Sequence, residues 1–219
     1  MKKEYYFTKL YPLQDRVLKV INDLNTSFYL TGGTASSRGY LHHRLSDDID
    51  LFVNDDSRFS LWSERVIHTL GISDDWSLDI LQKEERFVRL SLAEKDILLK
   101  IEMINDVPSH IGAIRLDAIL GRLDSPENIL ANKVTAVISR QEPKDLADIW
   151  GFCCKMGLPL NEAITDAHSK AAGIFPADLA RVLCSSARTD WEAVRWIEPP
   201  DADGYLQDLH RLGDDLIMQ

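Results

Sequence analysis

The chain has 219 residues and a formal net charge of −10, with 45% hydrophobic and 27% charged residues. That length supports one large domain or two small ones around a full hydrophobic core, and no low-complexity run or internal repeat is visible. The acidic balance argues against a surface that coats nucleic acid broadly, but it is compatible with a local basic patch and suits a site that concentrates divalent cations.

In chain order, "MKKEYYFTKLYPLQD" opens with a pair of lysines and has no apolar run behind them, so no signal peptide is expected. No stretch is apolar for long enough to cross a bilayer, and the expected location is the cytoplasm. Apolar residues at helical spacing predict a helix over Leu13–Leu24, and "SFYLTG" follows as a short strand. "TASSRGYLHHRL" reads as a short helix and "DIDLFV" as a strand. "SLWSERVIHTLG" is an amphipathic helix with Gly71 as its stop.

Three strands are predicted next, in "SLDILQ", "RFVRLSL" and "DILLKIEMI", the last two joined by an "AEKD" hairpin turn. From Asp124 the pattern is helical. "DSPENILANKVTAVISR" opens on a capping Ser125 and on Pro126 at the first helical position. "PKDLADIWGFCCKMG" forms a second helix, and at least two more are expected, around Pro176–Ser185 and Ala202–Leu216. Cys153, Cys154 and Cys184 lack the spacing of a zinc or redox motif and read as reduced, buried thiols. The expected division is a mixed-sheet α+β domain over 1–120 and a helical domain over 121–219.

The chemistry concentrates in "FYLTGGTASSRGYLHHRLSDDIDLFV". Alternate side chains of a strand share a face, so Asp48 and Asp50 point one way, about 6.5 Å apart at Cα. Ile49, Leu51 and Val53 point the other way into a core, and Asp47 is out of phase. Two carboxylates on one face attract a divalent cation, and Mg²⁺ takes such oxygen ligands together with substrate phosphates. Gly32 and Gly33 let the backbone approach a phosphate, N–H groups of the following helix point at it, and the Thr34 hydroxyl can donate to it. Glu102, opposite in phase to Ile101 and Met103, is the candidate third acid. Asp48, Asp50 and Glu102 as ligands of two metal ions predict nucleotidyl transfer from an NTP with loss of pyrophosphate. Arg44, permanently charged and bidentate, is a phosphate partner. His42 and His43 read as structural, because Mg²⁺ prefers oxygen.

Gly-Gly-Thr followed by D-x-D and a later strand acid resembles the DNA polymerase beta nucleotidyltransferase superfamily. Within it, "GGTA" and then His43, Arg44, Ser46, Asp48, Ile49, Asp50, Leu51 and Phe52 resemble the AbiEii/AbiGii toxin signature. "KVTAVISRQEPKDLADI" resembles that family's helical motif through Lys133, Arg140, Lys144, Asp145 and Asp148. Ser36 departs from the apolar residue common after GGT-A. The resemblance implies a polymerase beta-like mixed sheet and a Mg²⁺-dependent enzyme using NTP. It also implies an RNA acceptor such as a tRNA 3′ end, and a cognate antitoxin as partner. It places Gly32, Gly33, Thr34, Arg44, Ser46, Lys133 and Arg140 on the nucleotide and Asp145 among the catalytic residues. Lys133 and Arg140 lie two turns apart on one helix face. Asp145 then either orients them or acts as a base for the acceptor hydroxyl, and Asp148 lies further from the apolar stripe. A small-molecule nucleotidyltransferase and a non-catalytic nucleotide-binding protein stay open as alternatives.

Overall fold

The structure is a computed structural model that describes residues 3–218. It divides into two compact units, 1–35 with 46–124, and 36–45 with 125–219. The chain therefore leaves the first unit after Ala35, returns at Ser46 and leaves again after Asp124. Linear patterning placed a single division at 120/121 and had no means of assigning an excursion as short as 36–45.

The described residues of the first unit form a seven-stranded mixed sheet. In chain order its strands are β1 (Tyr29–Thr31), β2 (Ile49–Asn54), β3 (Ser77–Lys83), β4 (Phe87–Glu94), β5 (Ile97–Asp106), β6 (Arg115–Asp117) and β7 (Gly121–Leu123). Across the sheet they run β3-β4-β5-β2-β1-β7-β6. β4 and β5 form the expected hairpin, and Lys95 takes a positive φ of 55° in its turn. β2 is antiparallel to β1 and parallel to β5, which brings Asp50 opposite both Thr31 and Glu102. The β6–β7 hairpin is too short to leave a period in the sequence.

Alternation decides the faces. Ile49, Leu51 and Val53 of β2, Val88, Leu90 and Leu92 of β4, and Leu99, Ile101 and Met103 of β5 are buried. The Tyr11–Asn22 helix buries Leu13, Val17, Leu18 and Ile21 at helical spacing, and the Phe59–Gly71 helix buries Phe59, Trp62, Val66 and Leu70. Each such aliphatic side chain contributes roughly 1.5–3 kcal/mol on burial. Phe28 packs edge-on to Phe59 and Trp62, with centroids 6.0 and 6.2 Å away.

The second unit is helical: Pro126–Arg140, Pro143–Trp150, Leu160–His168, Pro176–Cys184 and Ala202–Ile217, with a short turn of helix at Arg188–Ala193. Leu160–His168 was not anticipated. Ser125 caps the first of these helices, its Oγ accepting from Asn128 N at 3.0 Å, and Gln141 ends it in the left-handed region. Where Ala202–Ile217 crosses Pro176–Cys184, a Cβ on Gly213 would stand 2.6 Å from Cys184 Sγ and 3.0 Å from the Ala180 carbonyl. The glycine permits that close crossing. Residues Ala35–Leu41 are wound as a π-helix, wider than the expected α-helix, and His42 ends it with a φ of 50°. His43–Leu45 is then extended, bonding the strip around Arg195–Ile197 through Leu45 N to Arg195 O (2.8 Å) and Ile197 N to His43 O (2.9 Å). Among the described residues no helix is long and apolar enough to cross a membrane.

Candidate active site

In the first unit the Gly-Gly-Thr turn lies directly on the D-x-D strand. Gly32 has a φ of +64°, and a Cβ there would overlap the Asp50 carboxylate. Both the backbone conformation and the close approach demand glycine. Thr34 is buried, donates its hydroxyl to the Asp48 carbonyl and shares a 3.0 Å hydrogen bond with Ser46 Oγ. The Ser46 N–H donates to Tyr11 Oη at 3.3 Å. Thr34 and Ser46, expected on the nucleotide, thus have their hydroxyls engaged inside the chain and fasten the turn to the start of β2. Asp47, out of phase as expected, accepts from Tyr6 Oη at 2.6 Å.

Beneath the turn lies a network the sequence reading missed. Thr31 Oγ1 donates to Asp124 Oδ2 at 2.5 Å, and His110 Nε2 lies 2.9 Å from Asp124 Oδ1. Asp124 is fully buried. Its position next to the capping Ser125 made it read as a boundary residue, and nothing local marks it as the anchor of a distant strand.

Asp48, Asp50 and Glu102 lie on the polar, half-buried face of the sheet, with Asp50 and Glu102 in register on neighbouring strands. Asp48 and Asp50 supply the hard oxygen donors that a Mg²⁺ ion accepts alongside phosphates. In that respect the residues fit a divalent cation. Among the described residues, however, no three His, Cys, Asp or Glu side chains gather as a ready metal cage. Glu102 Oε1 accepts from Arg89 Nε at 2.8 Å and lies 3.3 Å from Lys100 Nζ. Lys100 Nζ also stands 3.0 Å from Asp48 Oδ2. Burial works against this ammonium, yet the hydrogen bond and charge of Asp48 and the charge of Glu102 outweigh it and hold its pKa above the ordinary lysine value.

The second unit gathers the remaining predicted residues into one ion cluster. Arg44 grips Asp148 through Nε and Nη2, each 2.7 Å from a carboxylate oxygen. Lys133 Nζ lies 2.8 Å from Asp145 Oδ1 and 2.7 Å from Asp148 Oδ2. Arg140 donates to both oxygens of Asp145, at 2.7 and 2.9 Å. His43 Nε2 lies 3.0 Å from Asp148 Oδ1. Asp145 and Asp148 are both wholly buried, Asp148 included although it lies further from the apolar stripe. Their i, i+3 spacing puts them on one helix face, and cationic partners turn that face inward.

The cluster holds three permanent cations against two carboxylates, a surplus of one positive charge when His43 is neutral. Burial opposes ionisation of Asp148, but Arg44 and Lys133 overcome it and hold its pKa well below the usual carboxylate value. Burial likewise opposes the charge on Lys133, which Asp148 and Asp145 keep above its ordinary value. Asp145 is lowered in the same way by Lys133 and Arg140. A carboxylate so depressed, with its oxygens engaged by two cations, is a poor proton acceptor. Arg44 and Lys133 are almost completely buried, whereas the Arg140 side chain is 45% exposed.

No curated protein matches the chain. Among solved structures, JHP933 from Helicobacter pylori is similar over 99% of this chain and 93% of its own, with a TM-score of 0.64 at 19% identity. MenT4, a nucleotidyltransferase toxin from Mycobacterium tuberculosis, is similar over 100% of this chain and 86% of its own, with a TM-score of 0.69 at 15% identity. At such identities the likeness establishes a shared fold. The family profile of the nucleotidyl transferase AbiEii toxin, type IV toxin–antitoxin system, matches residues 16–181. With its sheet, its Gly-Gly-Thr turn against D-x-D and its Lys133–Asp145–Asp148 cluster, the chain belongs to the AbiEii nucleotidyltransferase toxin family.

Proposed function

We propose that this protein transfers a nucleoside monophosphate from an NTP to a hydroxyl at an RNA 3′ end, of the tRNA kind, as the toxin of a pair with a cognate antitoxin. The observation that carries the reading is the seating of Gly32 against Asp50, which sets a glycine turn beside a pair of half-buried carboxylates. In this reading the backbone N–H groups at Gly32 and Gly33 cradle phosphate oxygens. Asp48 and Asp50 hold Mg²⁺, and Glu102 joins them. The ions, two in this reading, supply Lewis-acid stabilisation of charge on the α-phosphoryl group. The acceptor hydroxyl releases its proton to solvent as its oxygen bonds to the α-phosphorus, the bond from that phosphorus to the bridging oxygen breaks, and pyrophosphate leaves with the electron pair. Thr34 and Ser46 keep turn and strand in register. In the second unit Asp145 and Lys133 hold the ion cluster rigid, and Arg44 anchors it through Asp148.

The test is label transfer from each of the four NTPs, labelled at the α-phosphate, to bacterial total RNA with Mg²⁺. Label in an RNA band that is lost on chelation is the expected result. Label only on a small molecule or on protein would overturn the acceptor, and nucleotide binding with no transfer would overturn the enzyme.

A further inference from the structure

On the polar face of the sheet, charges are set out in two rows. Arg89 on β4, Glu102 on β5 and Asp50 on β2 stand side by side in register. In the next row Ser91 stands beside Lys100, and Lys100 reaches Asp48, the residue just before β2. One ammonium thus touches carboxylates from two segments far apart in sequence, at 3.0 Å and 3.3 Å. That is the place a cation bridging Asp48 and Glu102 has to take. Three carboxylates against Lys100 and Arg89 leave this face with an excess of one negative charge. Without Lys100 that excess doubles. The Lys100 side chain is 40% exposed, and an ammonium on a flexible stem can swing aside without opening the core.

We infer that Lys100 is a built-in counter-cation that holds Asp48 and Glu102 together in the metal-free protein and has to be displaced by an entering divalent ion. The inference rests on the proposed metal site. It assigns a positioning role to a residue outside the Gly-Gly-Thr, D-x-D and K-D-x-x-D motifs. Lys100 keeps three acids of one sheet face from repelling each other, at the expense of metal affinity. Removing its charge should then tighten metal binding, whereas a lysine that merely packs on the sheet would have no such effect.

The experiment measures Mn²⁺ binding, read from the EPR signal of the free ion, without nucleotide. It compares the full chain with Lys100→Met, Lys100→Gln, Lys100→Arg and Asp48→Asn, with folding verified by circular dichroism. Both neutral variants should bind Mn²⁺ about tenfold tighter than the parent, the scale of one lost charge at contact distance in a half-exposed setting. Lys100→Arg should stay near the parent and Asp48→Asn should weaken binding. Two neutral variants keep the test decisive should one of them not fold. Neutral variants that bind no tighter than the parent, with Asp48→Asn still weakening binding, overturn the counter-cation and leave the metal site standing. No Mn²⁺ binding by the parent or by either neutral variant overturns the metal site and the counter-cation together.

Discussion

Arg44 and Asp148 meet through two hydrogen bonds of 2.7 Å, with the arginine side chain 4% exposed and the aspartate fully buried. Lys133 shares the same carboxylate, so one acid contacts two buried cations. Replacing Asp148 with Ala takes the bidentate partner from Arg44 and leaves Lys133 with Asp145 alone, and breaking a buried pair in this way costs about 3–5 kcal/mol. Chemical denaturation of Asp148→Ala should show that loss. A variant within about 0.5 kcal/mol of the parent would contradict the cluster's structural weight.

Gly32 is held by two constraints, its φ of +64° and the Asp50 carboxylate where a Cβ would stand. Gly32→Ala should cost about 1–2 kcal/mol in backbone strain alone. It should also push Asp50 out of place, so that nucleotidyl transfer falls far more than stability does. Denaturation and single-turnover transfer on the same preparation separate the two effects.

The double variant Asp48→Asn, Asp50→Asn removes like charges from a half-exposed face and gives up the ion pair between Asp48 and Lys100. Such pairs are worth about 0–1 kcal/mol, so the variant should stay within about 1 kcal/mol of the parent. Transfer should be abolished. Turnover surviving in a folded double variant would remove these acids from the reaction.

Burial, reinforced by the charges of Arg44 and Lys133, lowers the His43 pKa in the folded chain despite its bond to Asp148. Once unfolded, His43 returns to about 6.5. Below that pH the unfolded chain takes up a proton that the folded chain resists, so stability falls as pH drops from about 6.5 towards the lowered folded value. The urea midpoint should therefore fall between about pH 7.5 and about pH 5.5, and fall less in His43→Gln. An equal fall in both proteins assigns the effect to other groups.

Local physics made much of this protein legible in its sequence. Alternation in "DIDLFV" and "ILLKIEMI" set Asp48, Asp50 and Glu102 on one side and the aliphatic residues on the other, because the pleat has a period of two. Ser125 and Pro126 marked a helix start, because a cap and a missing N–H act within one turn. Tertiary structure alone decided the rest. The parallel pairing of β2 with β5 joins residues about fifty positions apart and sets Glu102 beside Asp50. The same pairing sets Lys100 against Asp48, which no spacing rule along one strand can foresee. Asp148 is buried because Arg44, His43 and Lys133 converge on it from remote segments. A helix pattern shows which residues share a face but not what that face will meet. For a charged side chain the partner decides between solvent and core, since burying it unpaired costs more than one helix can return.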